Sequence, residues 1–250
     1  MGAFVFQHGK HILLCGIRPN VEECWILYEG KWSLYNSMNF DRHSGIMVSM
    51  KKATYIFGGG KYIDTKLTSE TLNHKTAEWQ KGPDIPHIIN YGCGVSISDT
   101  ELLLIGGYGS SNAILMLNVA NNTWPSVSIK LKYGRRDHRC IVFNKKVIIT
   151  GGTDNFANLY STEIVDFESG DLTIRQAGDL NVKREYHGMG IITLNGVPTV
   201  IAFGGQDTFS LGSVEIWNDQ HETWELSKNL TISFNLDFAY GTFPTKILCP

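Results

Sequence analysis

The feature of this sequence that most narrows what it can fold into is a glycine doublet that keeps returning. The pairs are Gly58-Gly59, Gly106-Gly107, Gly151-Gly152 and Gly204-Gly205. Each closes an apolar run: TYIF (54–57), LLLI (102–105), VIIT (147–150) and VIAF (200–203), with a weaker copy, ILLCG (12–16), before them. Beyond each comes Trp32, Trp79, Trp124, Leu172 or Trp224, and successive members lie 47, 45, 48 and 52 residues apart. Nine residues before these positions stand Glu23, Glu70, Leu115, Glu163 and Glu215. A fixed interval between two markers, set in loops of varying length, is the mark of a structural repeat.

One unit reads as four short strands. In the fifth they are 189–194 (MGIITL), a turn at Gly196, then 200–203, 213–217 (SVEIW) and 223–226. The runs are β-branched and aromatic and are bounded by Gly, Asn and Asp, as strands are. No helical periodicity of useful length appears. The doublet allows a close backbone approach after the second strand. The tryptophan is placed to pack between sheets, so Trp32, Trp79, Trp124 and Trp224 are expected to be largely buried, with Leu172 in the equivalent place.

These residues resemble the kelch motif: an Arg before the first strand, Gly-Gly after the second, an acidic residue in the third and Trp opening the fourth. The resemblance covers residues 3 to 228 and implies an all-β, kelch-type β-propeller of four-stranded blades in one domain. The blades are expected at 1–38, 39–86, 87–130, 131–179 and 180–228. Residues 237–248 (DFAYGTFPTKIL) look like the start of a partial sixth blade, or closing strands of a five-bladed ring.

Composition limits the function classes. Of 250 residues, 42% are hydrophobic and 18% charged, as in an ordinary globular protein. A net charge of −2 leaves no basic surplus for nucleic acid. Apolar runs fall well short of the roughly 18 residues a membrane span needs. Cys15, Cys24, Cys93, Cys140 and Cys249 form no CxxC pair, and their odd count reads as reduced, buried thiols in a cytoplasmic protein. The extracellular alternative is favoured by two glycosylation triplets, Asn121-Asn122-Thr123 and Asn229-Leu230-Thr231.

Catalytic signatures are missing: no HExxH, Walker loop, GxSxG or dinucleotide fingerprint. The GGGK at 58–61 belongs to the repeat, and His138 with Cys140 lacks a second ligand pair. No cofactor or metal is expected. The repeated glutamates recur one per blade, which suits a structural partner better than a pair converging on a substrate. The informative positions lie in loops on one end of the blades. The loops between blades carry Arg42, His43, Tyr91, Arg135, Arg136, His138, Arg184, Tyr186 and His187. Loops between second and third strands add Tyr62, Tyr108, Asn155, Asp207 and Phe209. Arg with Tyr and Phe is the composition of binding hot spots, and Arg42, Arg135 and Arg184 are expected to surround the channel mouth as cations. The alternative is that these arginines only satisfy nearby backbone carbonyls. The resemblance implies a non-catalytic module that binds an acidic or polar segment of another protein. Its family also includes oxidases and sugar epimerases, so an enzyme or a secreted carbohydrate-binding protein is the alternative.

Overall fold

The computed structural model of the chain describes residues 3–17, 20–60, 66–108, 112–168, 170–209 and 211–231, the side chains of 229 and 231 aside. It is an all-β propeller of five antiparallel blades. Blade 1 holds β1 (Phe4–His8), β2 (His11–Cys15), β3 (Cys24–Tyr28) and β4 (Lys31–Tyr35) in sequential order. Blade 2 holds β5 (Ile46–Ser49), β6 (Ala53–Phe57), β7 (Ser69–Asn73) and β8 (Trp79–Lys81). Blade 3 has three strands, β9 (Cys93–Ser96), β10 (Glu101–Ile105) and β11 (Ile114–Asn118); a single bridge from Asn118 to Thr123 stands where its fourth would be. Blade 4 holds β12 (Arg139–Phe143), β13 (Lys146–Thr150), β14 (Thr162–Asp166) and β15 (Thr173–Gln176). Blade 5 holds β16 (Gly188–Leu194), β17 (Val197–Phe203), β18 (Ser213–Asn218) and β19 (Thr223–Thr231). The last strand runs beyond the expected 226, and its pairing with β18 shifts register between Ser213 and Glu215. The expected sixth-blade segment, 237–248, lies outside the described residues.

First strands of successive blades are neighbours: β1 with β5, β5 with β9, β9 with β12, β12 with β16. The second strands of blades 2 to 4 are therefore covered on both faces, which is why each is a continuous apolar run. The period of two sorts its side chains. Leu102 and Leu104 join Ile46, Val48 and Phe57 between blades 2 and 3. Leu103 and Ile105 join Val147 and Ile149 between blades 3 and 4.

The doublet glycines have a steric reason. Gly58 and Gly106 adopt φ of +65° and +63°, and a Cβ there would sit 2.7 Å from the carbonyl oxygen of Ile89 and Arg135 respectively. Gly16 meets the Arg42 carbonyl and Gly151 the Arg184 carbonyl in the same way. The common contact establishes that Arg42, Ile89, Arg135 and Arg184 occupy one repeat position.

The tryptophan expectation needs a correction. Trp79 and Trp224 are buried and Trp124 is partly buried, but Trp32 is 46% exposed. The reason is directional. Trp79 Nε1 donates to the Asn36 carbonyl in blade 1, and Trp124 Nε1 to the Asp84 carbonyl in blade 2. Trp224 Nε1 donates to Thr162 Oγ1 in blade 4. Each ring is covered by the blade before its own, and no described blade precedes blade 1. Leu172 is partly buried against blade 3.

The cysteines also depart from expectation. Cys15–Cys24 and Cys93–Cys140 are disulfides, not thiols. Cys249 lies outside the described residues, among which no helix is long and apolar enough to cross a membrane.

Candidate functional site

Arg42, Arg135 and Arg184, expected as cations facing a partner, are fully buried. Each forms the same set of bonds. Arg135 Nη2 pairs with Glu163 Oε1 at 2.7 Å and donates to Ser161 Oγ, while Nη1 donates to the Gly151 and Ser161 carbonyls. Arg184 does this with Glu215, Ser213 and Gly204, and Arg42 with Glu70, Thr68 and Gly58, reaching the carboxylate through Nε instead of Nη2. The glutamates in turn accept from two consecutive backbone N–H groups: Asn39 and Phe40, Lys132 and Tyr133, Asn181 and Val182. Every charge is compensated within the blade, so these arginines supply no positive potential to a partner; they tie the incoming loop to the second and third strands.

His138 and His187, also expected in the site, are fully buried behind the arginines. His138 packs against Gly106, and His187 against Gly151. His187 Nε2 shares a hydrogen bond with Thr150 Oγ1 at 2.9 Å. Burial first, then the cations Arg135 and Arg139, push the His138 pKa well below 6.5. Burial and then Arg184 do the same to His187. Both imidazoles are neutral packing elements. His43 is not their equivalent: counted from the shared Arg position it matches Asn90, Arg136 and Glu185.

The residue after that one is the floor of the loop face. Ser44, Tyr91, Asp137 and Tyr186 all have positive φ, 57°, 61°, 56° and 52°. Tyr91 N–H donates to the Ser44 carbonyl, Asp137 N–H to the Tyr91 carbonyl and Tyr186 N–H to the Asp137 carbonyl, at 2.8, 2.7 and 3.0 Å. A chain of backbone hydrogen bonds thus runs from blade 2 to blade 5. Tyr186 stands against Asp137; its burial and the carboxylates of Asp137 and Glu185 push its phenol up to about 12.

Above this floor the loops between second and third strands are tied to the same end by the Arg136–Thr153 and Glu185–Gln206 bridges. Arg136, by contrast with the three buried arginines, is half-buried and reaches solvent. Its Nη1 bonds Asp137 at 2.7 Å, its Nε bonds Asn155 Oδ1, and its guanidinium lies over the Tyr108 ring at 5.9 Å. Tyr108, Phe156 and Phe209, one on each of three successive loops, are 69%, 96% and 80% exposed. Asp207 is exposed and accepts from Asn158 Nδ2. Tyr62 lies outside the described residues. Of the residues expected in the site, the structure thus gathers Arg136, Tyr108, Asn155, Tyr186, Tyr91, His43 and Asp207 on the loop face. Phe156 was not among them; its place in the same loop as Asn155 was the available signal.

Beside this face a groove of about 360 Å³ is lined by Tyr133, Asn158, Tyr160, Gln176, Asp179 and Lys183. Among the described residues no three of His, Cys, Asp and Glu are grouped to hold a metal ion.

No protein-family model and no curated protein matches this sequence. The solved structure of YjhT is similar in fold, with a TM-score of 0.78 at 12% identity, covering 96% of this chain and 86% of that one. The likeness is one of fold.

Proposed function

We propose that this chain is a non-catalytic interaction module of the kelch type that its repeats resemble, binding a polar or acidic segment of another protein on the loop face. The observation that carries this reading is the row of three exposed aromatics, Tyr108, Phe156 and Phe209, on successive loops, the first of them under the Arg136 guanidinium. Large aromatic side chains left in water at one end of a molecule are costly unless a partner covers them. Arg136 keeps Nη2 free of any described partner, a donor suited to a carboxylate or carbonyl of the bound segment. The scaffold beneath is rigid, because the floor residues are bonded blade to blade.

Peptides selected from a random displayed library on the immobilised protein test this reading. Arg136→Glu, Phe156→Ala and Phe209→Ala should each weaken the selected peptides by about tenfold or more, or about 1.4 kcal/mol. Lys75→Glu, in a turn at the opposite end, should leave binding unchanged. Equal binding by all four variants would contradict the assignment of this face. A second reading, carbohydrate binding, is favoured by the groove with Tyr133 and Tyr160 beside Asn158, Gln176 and Asp179; a glycan ligand lost on Tyr160→Ala and kept on Phe209→Ala would support it instead.

A further inference from the structure

We propose that the chain matures in an oxidising, glycosylating compartment, where Cys15–Cys24 and Cys93–Cys140 close and Asn121 receives an N-linked oligosaccharide.

Two independent observations support this. The first is the placing of the cysteines. Cys15 and Cys24 are register partners on β2 and β3, with Cα atoms 4.1 Å apart. Cys93 and Cys140 lie on the first strands of different blades, 47 positions apart in sequence, with Cα atoms 6.0 Å apart. Four of five cysteines thus meet in pairs, one of them bridging two blades. Such pairs persist where the surroundings are oxidising and are rare where glutathione holds thiols reduced. Each closure removes two protons and two electrons from two thiols, which pass to a disulfide carrier of that compartment.

The second is the triplet Asn121-Asn122-Thr123. It occupies the turn that leaves β11, closed by the Asn118–Thr123 bridge. Asn121 is exposed. Its Oδ1 accepts from the Thr123 N–H at 3.2 Å and from the Thr123 Oγ–H at 2.7 Å. Its Nδ2, the atom that would be glycosylated, has no hydrogen bond among the described residues. Asparagine and threonine are thus held together, with the amide nitrogen left over. In the reaction, Nδ2 bonds to the anomeric carbon of a lipid-pyrophosphate-linked oligosaccharide. The bond from that carbon to phosphate oxygen breaks, the lipid pyrophosphate departs with the electron pair, and the Nδ2 proton goes to the transferase. The turn lies at the end of blade 3 opposite the loops that carry Tyr108 and Arg136, so a glycan there leaves that face open.

The full chain, directed to the secretory pathway of eukaryotic cells by a cleavable leader, provides the test. Alkylation after denaturation without reduction should leave Cys15, Cys24, Cys93 and Cys140 unlabelled. Enzymatic removal of N-glycans should increase gel mobility and leave the deamidation mark on Asn121. Asn121→Gln and Thr123→Val should each abolish modification at this turn. Asn229→Gln separates any contribution of the second triplet, and the enzymatic readout stands even if a variant folds poorly. A secreted, folded protein with bare Asn121, or one in which any of Cys15, Cys24, Cys93 and Cys140 is alkylated, would overturn the proposal.

Discussion

Ile89 stands where blades 2, 4 and 5 carry Arg42, Arg135 and Arg184, and the surrounding residues change with it. Leu115 replaces the glutamate, Ala113 replaces the Thr or Ser whose hydroxyl the arginine bonds, and Pro86 takes the place of Asn39, Lys132 and Asn181. Proline has no N–H to leave unpaired, so the whole ionic set has become apolar at once, with Ile89 buried among Phe57, Leu102 and Leu104. Removing one member of a buried ion pair strands the other charge, at a cost of about 3–5 kcal/mol. Arg135→Ile or Glu163→Leu alone should therefore cost about that much in denaturant unfolding. The neutral histidines give a pH signature. An unfolded imidazole takes its proton near 6.5, whereas His138 and His187 do so only well below it. Between those values the unfolded state binds more protons. Stability is therefore retained above about pH 6.5 and falls below it, by up to about 1.4 kcal/mol per pH unit for each histidine. Urea midpoints at about pH 7.5 and about pH 5.5 check this, and His187→Gln should flatten the slope.

At the scale of the strand, the outer tryptophans behave as buttresses that lean on the preceding blade. Trp224 packs at a tilt against Trp217, with ring centres 5.1 Å apart, and bonds Thr162 across the junction. Trp224→Ala should cost about 3–5 kcal/mol. Trp32→Ala, at a position with no described blade to lean on, should cost under about 1 kcal/mol by thermal or chemical unfolding. Equal losses at the two would show that Trp32 has a cover. The spacing of Trp, Gly-Gly and the acidic marker made the repeat and its strands legible, because each reports a requirement of one unit: a closed turn, a second strand covered on both sides, an outer buttress. It did not make Trp32's exposure legible, since the blade that covers a tryptophan belongs to another repeat. Nor did it separate fully buried from solvent-reaching arginines. Arg135 and Arg136 are neighbours of one residue type, and only the partner Glu163, 28 positions on, makes the first structural.

Across the whole molecule, the fold divides its polar groups into two sets. One is buried and repeated, and holds the blades; the other is exposed, differs from blade to blade, and forms the loop face. The Cys93–Cys140 bridge belongs with the first, joining blades 3 and 4. Closing so long a loop should stabilise by about 2–4 kcal/mol, so its selective removal by Cys93→Ala/Cys140→Ala should lower the unfolding free energy by that order. The division between the two sets is tested most directly by transplanting the apolar set of blade 3 into blade 4, as Lys132→Pro/Arg135→Ile/Ser161→Ala/Glu163→Leu. If the arginine is architectural, the fourfold variant should be more stable than either Arg135→Ile or Glu163→Leu alone, within about 1–2 kcal/mol of the parent, and should bind the same selected peptides. A folded fourfold variant that has lost those peptides would contradict the account.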